Sequence, residues 1–112
     1  MSSKIFKEKV PIDIIFNFLD RISLKTDRYY QIDNNAYRKM IANNIHEEFL
    51  EIMKKYYNNA KQHYITRELT YNSFTNIIRQ ICKSNNIAYQ SKISYNKSKY
   101  GIIYFIYYNN II

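Results

Sequence analysis

The chain has 112 residues, 46% of them apolar, and a formal net charge of +8 at pH 7; that length suits one domain with a modest core and leaves no room for two independent ones. A single cysteine, Cys82, excludes an internal disulfide and a cysteine-built zinc site, and a single glycine, Gly101, excludes a phosphate-binding loop and a dinucleotide fingerprint. The opening Met-Ser-Ser-Lys stretch has no signal-peptide core and no run approaches the roughly 18 apolar residues that cross a bilayer, so the expectation is a soluble intracellular protein in a reducing compartment, with no membrane partner.

In chain order, Pro11 suits a first helical turn because its missing N–H would have had no partner there. Ile14, Ile15, Phe18, Leu19 and Ile22 then recur at helical spacing, with Asp13, Asn17, Asp20 and Arg21 opposite, which predicts an amphipathic helix over 11–23. Thr26-Asp27 reads as a break, and Tyr29-Tyr30-Gln31-Ile32 as a short strand. Asp33 is a good N-cap for a helical region through Tyr37, Met40, Ile41, Ile45, Phe49, Ile52, Met53 and Tyr56. Asn43-Asn44 can divide it into two helices, because asparagine side chains compete for backbone hydrogen bonds. Asn58-Asn59 reads as its end, and Gln62 to Leu69 is compatible with turn, strand or helix.

Thr70 reads as the N-cap of a helix from Tyr71 to Ser84. Its apolar face is Tyr71, Phe74, Ile77, Ile78, Ile81 and Cys82; Asn72, Ser73, Asn76, Arg79, Gln80 and Lys83 lie opposite. After Asn85-Asn86 the period becomes two, with Ile87, Tyr89, Ile93 and Tyr95, then Ile103, Phe105 and Tyr107, which predicts a β-hairpin over 87–108. Its expected loop is Asn96 to Gly101, with the glycine where a positive φ would be useful. The predicted class is α+β: a mainly helical N-terminal part, then a helix and a C-terminal hairpin, in one domain over 1–112.

Isoleucine, asparagine, tyrosine and lysine make up more than half the chain. All four have codons rich in A and T, so base composition accounts for their abundance. It does not account for the charge distribution. Residues 1–60 hold ten Lys or Arg against eight Asp or Glu, whereas residues 61–112 hold seven against one, Glu68. Codon bias acts on both halves alike, and a polyanionic partner is the simplest cause of a half emptied of carboxylates.

Helix, short strand, helical region, polar-faced helix and hairpin resembles the order of a winged helix-turn-helix domain. The resemblance rests on order and pattern over most of the chain, without a diagnostic motif; the long central helical region and the lack of a clear tight turn before the last helix depart from it. It implies that the helix at 70–84 enters a major groove and that the hairpin is the wing touching the DNA backbone. Separately, Tyr64 to Lys83 (YITRELTYNSFTNIIRQICK), with Ser91-Lys-Ile-Ser-Tyr95 and Tyr104-Phe-Ile-Tyr107, is similar to a group of short uncharacterised proteins of the nucleocytoplasmic large DNA viruses. That similarity implies infected-cell cytoplasm, a viral factory or the virion as location.

Asn76, Arg79, Gln80 and Lys83 are spaced to share a helix face. Arginine can pair with guanine O6 and N7, and Asn or Gln with adenine N6 and N7; Asn72 and Ser73 extend the same face. A solvated polar face is the competing reading. Lys92, Lys97 and Lys99, with Ser91 and Ser98, can contact phosphates, and Tyr95 and Tyr100 can stack on unpaired bases, although tyrosine also packs half-buried sheets. No enzyme is expected. His46-Glu47-Glu48 lacks the second histidine of a zinc-protease helix, position 50 being Leu, and reads as a solvated acidic turn; His63 has no evident partner, and Cys82 lies on the apolar face. No cofactor or metal is expected. The reading is a DNA-binding or other nucleic-acid-binding domain, regulatory or genome-associated. The alternative is a structural or adaptor protein that joins a partner or a second copy through the tyrosine-rich hairpin, whose apolar end from Ile102 to Ile112 has an edge needing cover.

Overall fold

The computed structural model describes residues 8–56, 69–96 and 99–108. Helix α1 (Ile12–Ile22) starts one residue after Pro11, which is its N-cap with φ −60 rather than its first helical residue. Ile15, Phe18, Leu19 and Ile22 are buried, as their spacing requires. The helix stops at Ser23, whose backbone N–H (2.9 Å) and hydroxyl (2.6 Å) both donate to the Leu19 carbonyl.

A two-residue strand follows, β1 (Leu24–Lys25), which is too short to show any periodicity and was not expected from sequence. Thr26 turns the chain into β2 (Tyr29–Ile32): its Oγ1 accepts from the backbone N–H of Arg28 (3.3 Å) and of Tyr29 (3.2 Å). Asp33 caps α2 (Asn34–Ala42), with Oδ1 accepting from the Ala36 N–H at 3.0 Å.

The central helical region is indeed two helices, α2 and α3 (His46–Tyr56). The break has a definite geometry. Asn44 takes φ 58, its N–H donates to the Ile41 carbonyl (3.1 Å), and the Ile45 N–H donates to the Met40 carbonyl (2.9 Å). This pair of bonds is the Schellman C-cap, usually built on glycine and here on asparagine, the next residue to tolerate a positive φ. The same device ends α4 (Tyr71–Ser84): Asn86 has φ 57, and the N–H groups of Asn86 and Ile87 donate to the Lys83 (3.3 Å) and Cys82 (2.9 Å) carbonyls. The expected helix end at Asn58-Asn59 and the stretch 62–68 lie outside the described residues.

The hairpin is β3 (Tyr89–Asn96) and β4 (Lys99–Tyr107), and the antiparallel sheet runs β1-β2-β4-β3. Two expectations change here. The strands stay paired to Asn96↔Lys99, so only 97–98, outside the described residues, connect them; Gly101 is inside β4, opposite Ser94, and has no positive φ. The core-facing side of β4 is Tyr104 and Ile106, not Ile103, Phe105 and Tyr107, which are only half-buried. The strand is apolar at every position from Ile102 to Tyr108, so alternation alone could not choose the face. Pairing chooses it: Tyr30↔Ile106 and Ile32↔Tyr104 put four buried side chains on the helix side.

The core is one cluster beneath the sheet. At its centre Phe18 of α1, Phe49 of α3 and Phe74 of α4 meet with ring centroids 5.0 to 6.2 Å apart. Among the described residues, no helix is long and apolar enough to cross a membrane. Ile78→Asp should unfold the protein, because an unpaired carboxylate would enter this core, whereas Asn76→Asp on the exposed side should leave the melting temperature nearly unchanged. Asn86→Gly should raise stability and Asn86→Ala lower it, the latter by about 1 kcal/mol, because only the alanine is strained at positive φ; chemical denaturation of the three proteins measures both.

Candidate nucleic-acid interface

Helix α4 is fixed first by its cap. The Thr70 Oγ1 accepts from the Ser73 N–H (3.1 Å) and the Ser73 Oγ accepts from the Thr70 N–H (2.9 Å), a reciprocal capping box. Ser73 is thereby occupied in holding the helix start. Tyr71, beside it, ties the helix to the sheet: its hydroxyl, 2.6 Å from the Ile102 carbonyl and 3.2 Å from that of Ile32, reaches β4 and β2 together. Burial, then the neighbouring Tyr104 and Asp33, holds the Tyr71 hydroxyl above its usual pKa.

The buried arc of α4 is Phe74, Ile77, Ile78, Ile81 and Cys82, as the spacing predicts, together with Thr75. Thr75 escapes a hydrophobic pattern because it buries a hydroxyl, which donates to the Tyr71 carbonyl at 3.0 Å. Of the candidate residues on the other side, Asn72, Asn76 and Lys83 are exposed and form its centre line, while Arg79 and Gln80 are half-buried at its two flanks. Arg79 lies against the sheet, its guanidinium carbon 5.0 Å from the centre of the Tyr104 ring. Its Nε is buried and has no hydrogen-bond partner among the described residues, and the same holds for Oε1 of Gln80.

The structure brings the α4 residues together but separates them from Lys92. That lysine pairs with Ile103 in the register and is therefore on the sheet face turned away from the helices, where it is exposed. Lys99 opens β4 opposite Asn96, and Lys97 lies outside the described residues. The contact the sequence did not reveal is Arg79 on Tyr104, because nothing in the local pattern marks an arginine for stacking on a strand.

Charge is organised as the composition suggested. In the N-terminal half the ions pair with each other: Arg21 with Glu48 at 2.5 Å, Lys25 with Asp20 at 3.4 Å and Lys54 with Glu51 at 3.4 Å. The hydrogen bond from Arg21 holds the Glu48 carboxyl below its usual range. These pairs are exposed and add little stability; the near-balance of that half comes from its ten cations against eight carboxylates. Arg79, Lys83 and Lys92 make no ion pair among the described residues, and every described carboxylate lies between Glu8 and Glu51 in sequence. The carboxylate that comes near α4 is Asp33, which already accepts from Ala36 and, at 3.2 Å, from Gln31.

No family model, no curated protein and no solved structure matches the chain. What the surface can do therefore rests on its own groups: a row of amides and cations along α4, with one guanidinium over the Tyr104 ring at the joint between helix and hairpin. Among the described residues no group of three His, Cys, Asp or Glu side chains could hold a metal ion.

Cys82 is buried, and burial pushes its thiol up to about 12 from a usual value of 9.0. A thiol that stays neutral in the fold but ionises when unfolded favours the unfolded state once pH rises above about 9. Stability from this group should thus be fully present below pH 9 and fall by up to about 1.4 kcal/mol per pH unit between 9 and 12. Cys82→Ala should flatten that decline in denaturant titrations, and iodoacetamide should leave Cys82 unmodified until the protein is unfolded.

Proposed function

We propose that the chain binds duplex DNA through α4, with the β3–β4 hairpin alongside it on the backbone, in the manner of a winged helix-turn-helix domain. The observation that carries this reading is Arg79. A half-buried cation normally has an anionic or hydrogen-bonding partner, and even the exposed Arg21 has one in Glu48. Arg79 has only a ring beneath it. That contact restrains the guanidinium beside the place a phosphate or a guanine edge would take, which reduces the conformational entropy lost on binding. Asn76, Asn72 and Lys83 continue the contact line, and Gln80 borders it; Lys97 and Lys99 would meet phosphates from the hairpin. By register Lys99 is on the same face as Lys92 and serves this contact from the hairpin tip; Lys92, further down that face, takes no part. The order of elements and the adjacency β2-β4-β3 support the same reading. The similarity to short proteins of large DNA viruses would put that DNA in infected-cell cytoplasm, a viral factory or the virion.

A second reading has an observation of its own. Ile93 and Ile102 face each other across the hairpin and are 55% and 39% exposed, and β3 is an edge strand, so a protein partner would bury apolar surface there. The two readings separate by salt, since an apolar complex survives high ionic strength and a phosphate contact does not.

Fluorescence anisotropy with labelled duplex over a salt series tests the proposal. Arg79→Ala should cost roughly 1 to 3 kcal/mol on a preferred sequence and relax the preference at one position. Lys97→Ala with Lys99→Ala should lower the magnitude of the log–log salt slope by up to about 2 and weaken all sequences alike, each phosphate contact adding about 0.9. Lys54→Ala with Lys55→Ala, in the balanced half, should change little. Absence of duplex binding at low salt, or equal losses from the two lysine pairs, would overturn it.

A further inference from the structure

The sheet has two faces, and only one of them belongs to the core. Register places Tyr29 and Gln31 of β2, Phe105 and Tyr107 of β4, and Gln90 and Lys92 of β3 on the face turned away from the helices. Three of these are aromatic and adjacent: the Tyr29 ring lies 5.0 Å from Phe105 and 5.6 Å from Tyr107, edge to face in both cases. They are half-buried without being packed against the hydrophobic core, so the rings shield one another rather than sit under a described helix. The tyrosine hydroxyls of the core side behave differently. Tyr30 donates to Asp20 at 2.7 Å and Tyr108 to the Thr26 carbonyl at 2.5 Å, each tying two elements together. On the outer face the Tyr107 hydroxyl, among the described residues, reaches only its sheet neighbour Gln90, at 2.9 Å.

We propose that this outer face is a second nucleic-acid surface, one that takes the unpaired bases of a single strand. Aromatic side chains on paired strands of an antiparallel sheet form a platform on which bases stack with little regard to sequence, because every base has a π-face. Gln31 and Gln90 flank the rings with amide groups that can both donate to and accept from base edges. Lys92, exposed and in no ion pair among the described residues, supplies charge for the strand's phosphates. No register position of this face in β1 to β4 holds a carboxylate. The charge pattern also argues against a second copy as occupant. Two chains of +8 repel each other, and Asp33, whose carboxylate reaches this face at Gln31, already accepts from Gln31 and Ala36, so it offers little to a lysine of a second copy. The proposal uses none of the α4 residues and stands apart from the duplex reading; a duplex on α4 and a strand on this face would occupy opposite sides of β4.

The test is binding of the full chain to short labelled oligothymidylate, oligouridylate and mixed-sequence duplex. Phe105→Leu and Tyr107→Leu keep apolar bulk while removing the π-face, and circular dichroism with thermal melting checks that both fold. Each should weaken single-strand binding at least about fivefold and leave duplex binding within about twofold. Lys92→Ala should lower the single-strand salt slope by about 0.7. Losses with both oligonucleotides place the recognition in the base ring; loss with one of them still supports the surface and identifies which of the two strands it takes. Photo-cross-linking of an iodouracil strand should give adducts at Tyr29, Phe105 or Tyr107. Wild-type affinity of Phe105→Leu for both strands, or adducts confined to α4, overturns the proposal. So does a dimer in sedimentation that Phe105→Leu disperses in a protein that binds neither strand, which would give the face to a second copy. Arg79→Ala separates the two readings: loss of duplex binding with single-strand binding intact leaves this one standing alone.

Discussion

Three phenylalanines hold the arrangement together. Phe18, Phe49 and Phe74 come one each from α1, α3 and α4, are fully buried, and touch in a closed triangle of tilted and edge-to-face contacts. Such pairs add to the burial of their area, and here they fix where α4 can sit. With one side of α4 committed to this cluster, the other must face outwards, which puts Asn72, Asn76 and Lys83 in solvent. The sheet then closes the same core with Tyr30, Ile32, Tyr104 and Ile106.

The tyrosines are the second structural element. There are 13 of them, and individual hydroxyls have distinct jobs. Tyr37 bonds to the Leu69 carbonyl, Tyr71 to carbonyls of β2 and β4, Tyr30 to Asp20 and Tyr108 to Thr26. Each joins segments distant in sequence, using an apolar ring for packing and a polar tip for a bond that burial would otherwise leave unmade. Lysine joins in: Lys25 lies 4.9 Å from the Tyr108 ring centre and 5.5 Å from that of Tyr30, while also pairing with Asp20. Asparagine likewise takes the place of glycine at both Schellman caps. With one glycine in the chain, asparagine serves where a positive φ is needed.

Charge separates the molecule into a half that neutralises itself and a half that does not. The ion pairs of α1, β1 and α3 leave little net field there, whereas α4 and the hairpin present cations without carboxylates. The two surfaces read here as nucleic-acid contacts both fall in or beside the second half. They differ in chemistry, one a helix edge of amides and guanidinium, the other a plane of rings beside Lys92.

Much of the helical part was legible in the sequence, for local reasons. The buried face of α4, the caps at Asp33 and Thr70, and the breaks at the two Asn-Asn pairs each depend on neighbours within one helical turn. The hairpin's existence was legible too, from its period of two. What only the tertiary structure decided were the questions that a uniformly apolar or very short segment leaves open. An apolar residue at every position of Ile102 to Tyr108 carries no phase, so the pairing of β4 with β2 chose Tyr104 and Ile106 for the core and left Phe105 and Tyr107 outside. Two residues of β1 carry no period at all. Arg79 looked like one of a row of solvated groups because helical spacing describes a face, not what is packed beside it; the strand brought against that flank put Tyr104 beneath its guanidinium. Local pattern marks the apolar side of an element where polar residues alternate with it, and where they do not, the choice passes to the neighbour that pairs with the strand's backbone.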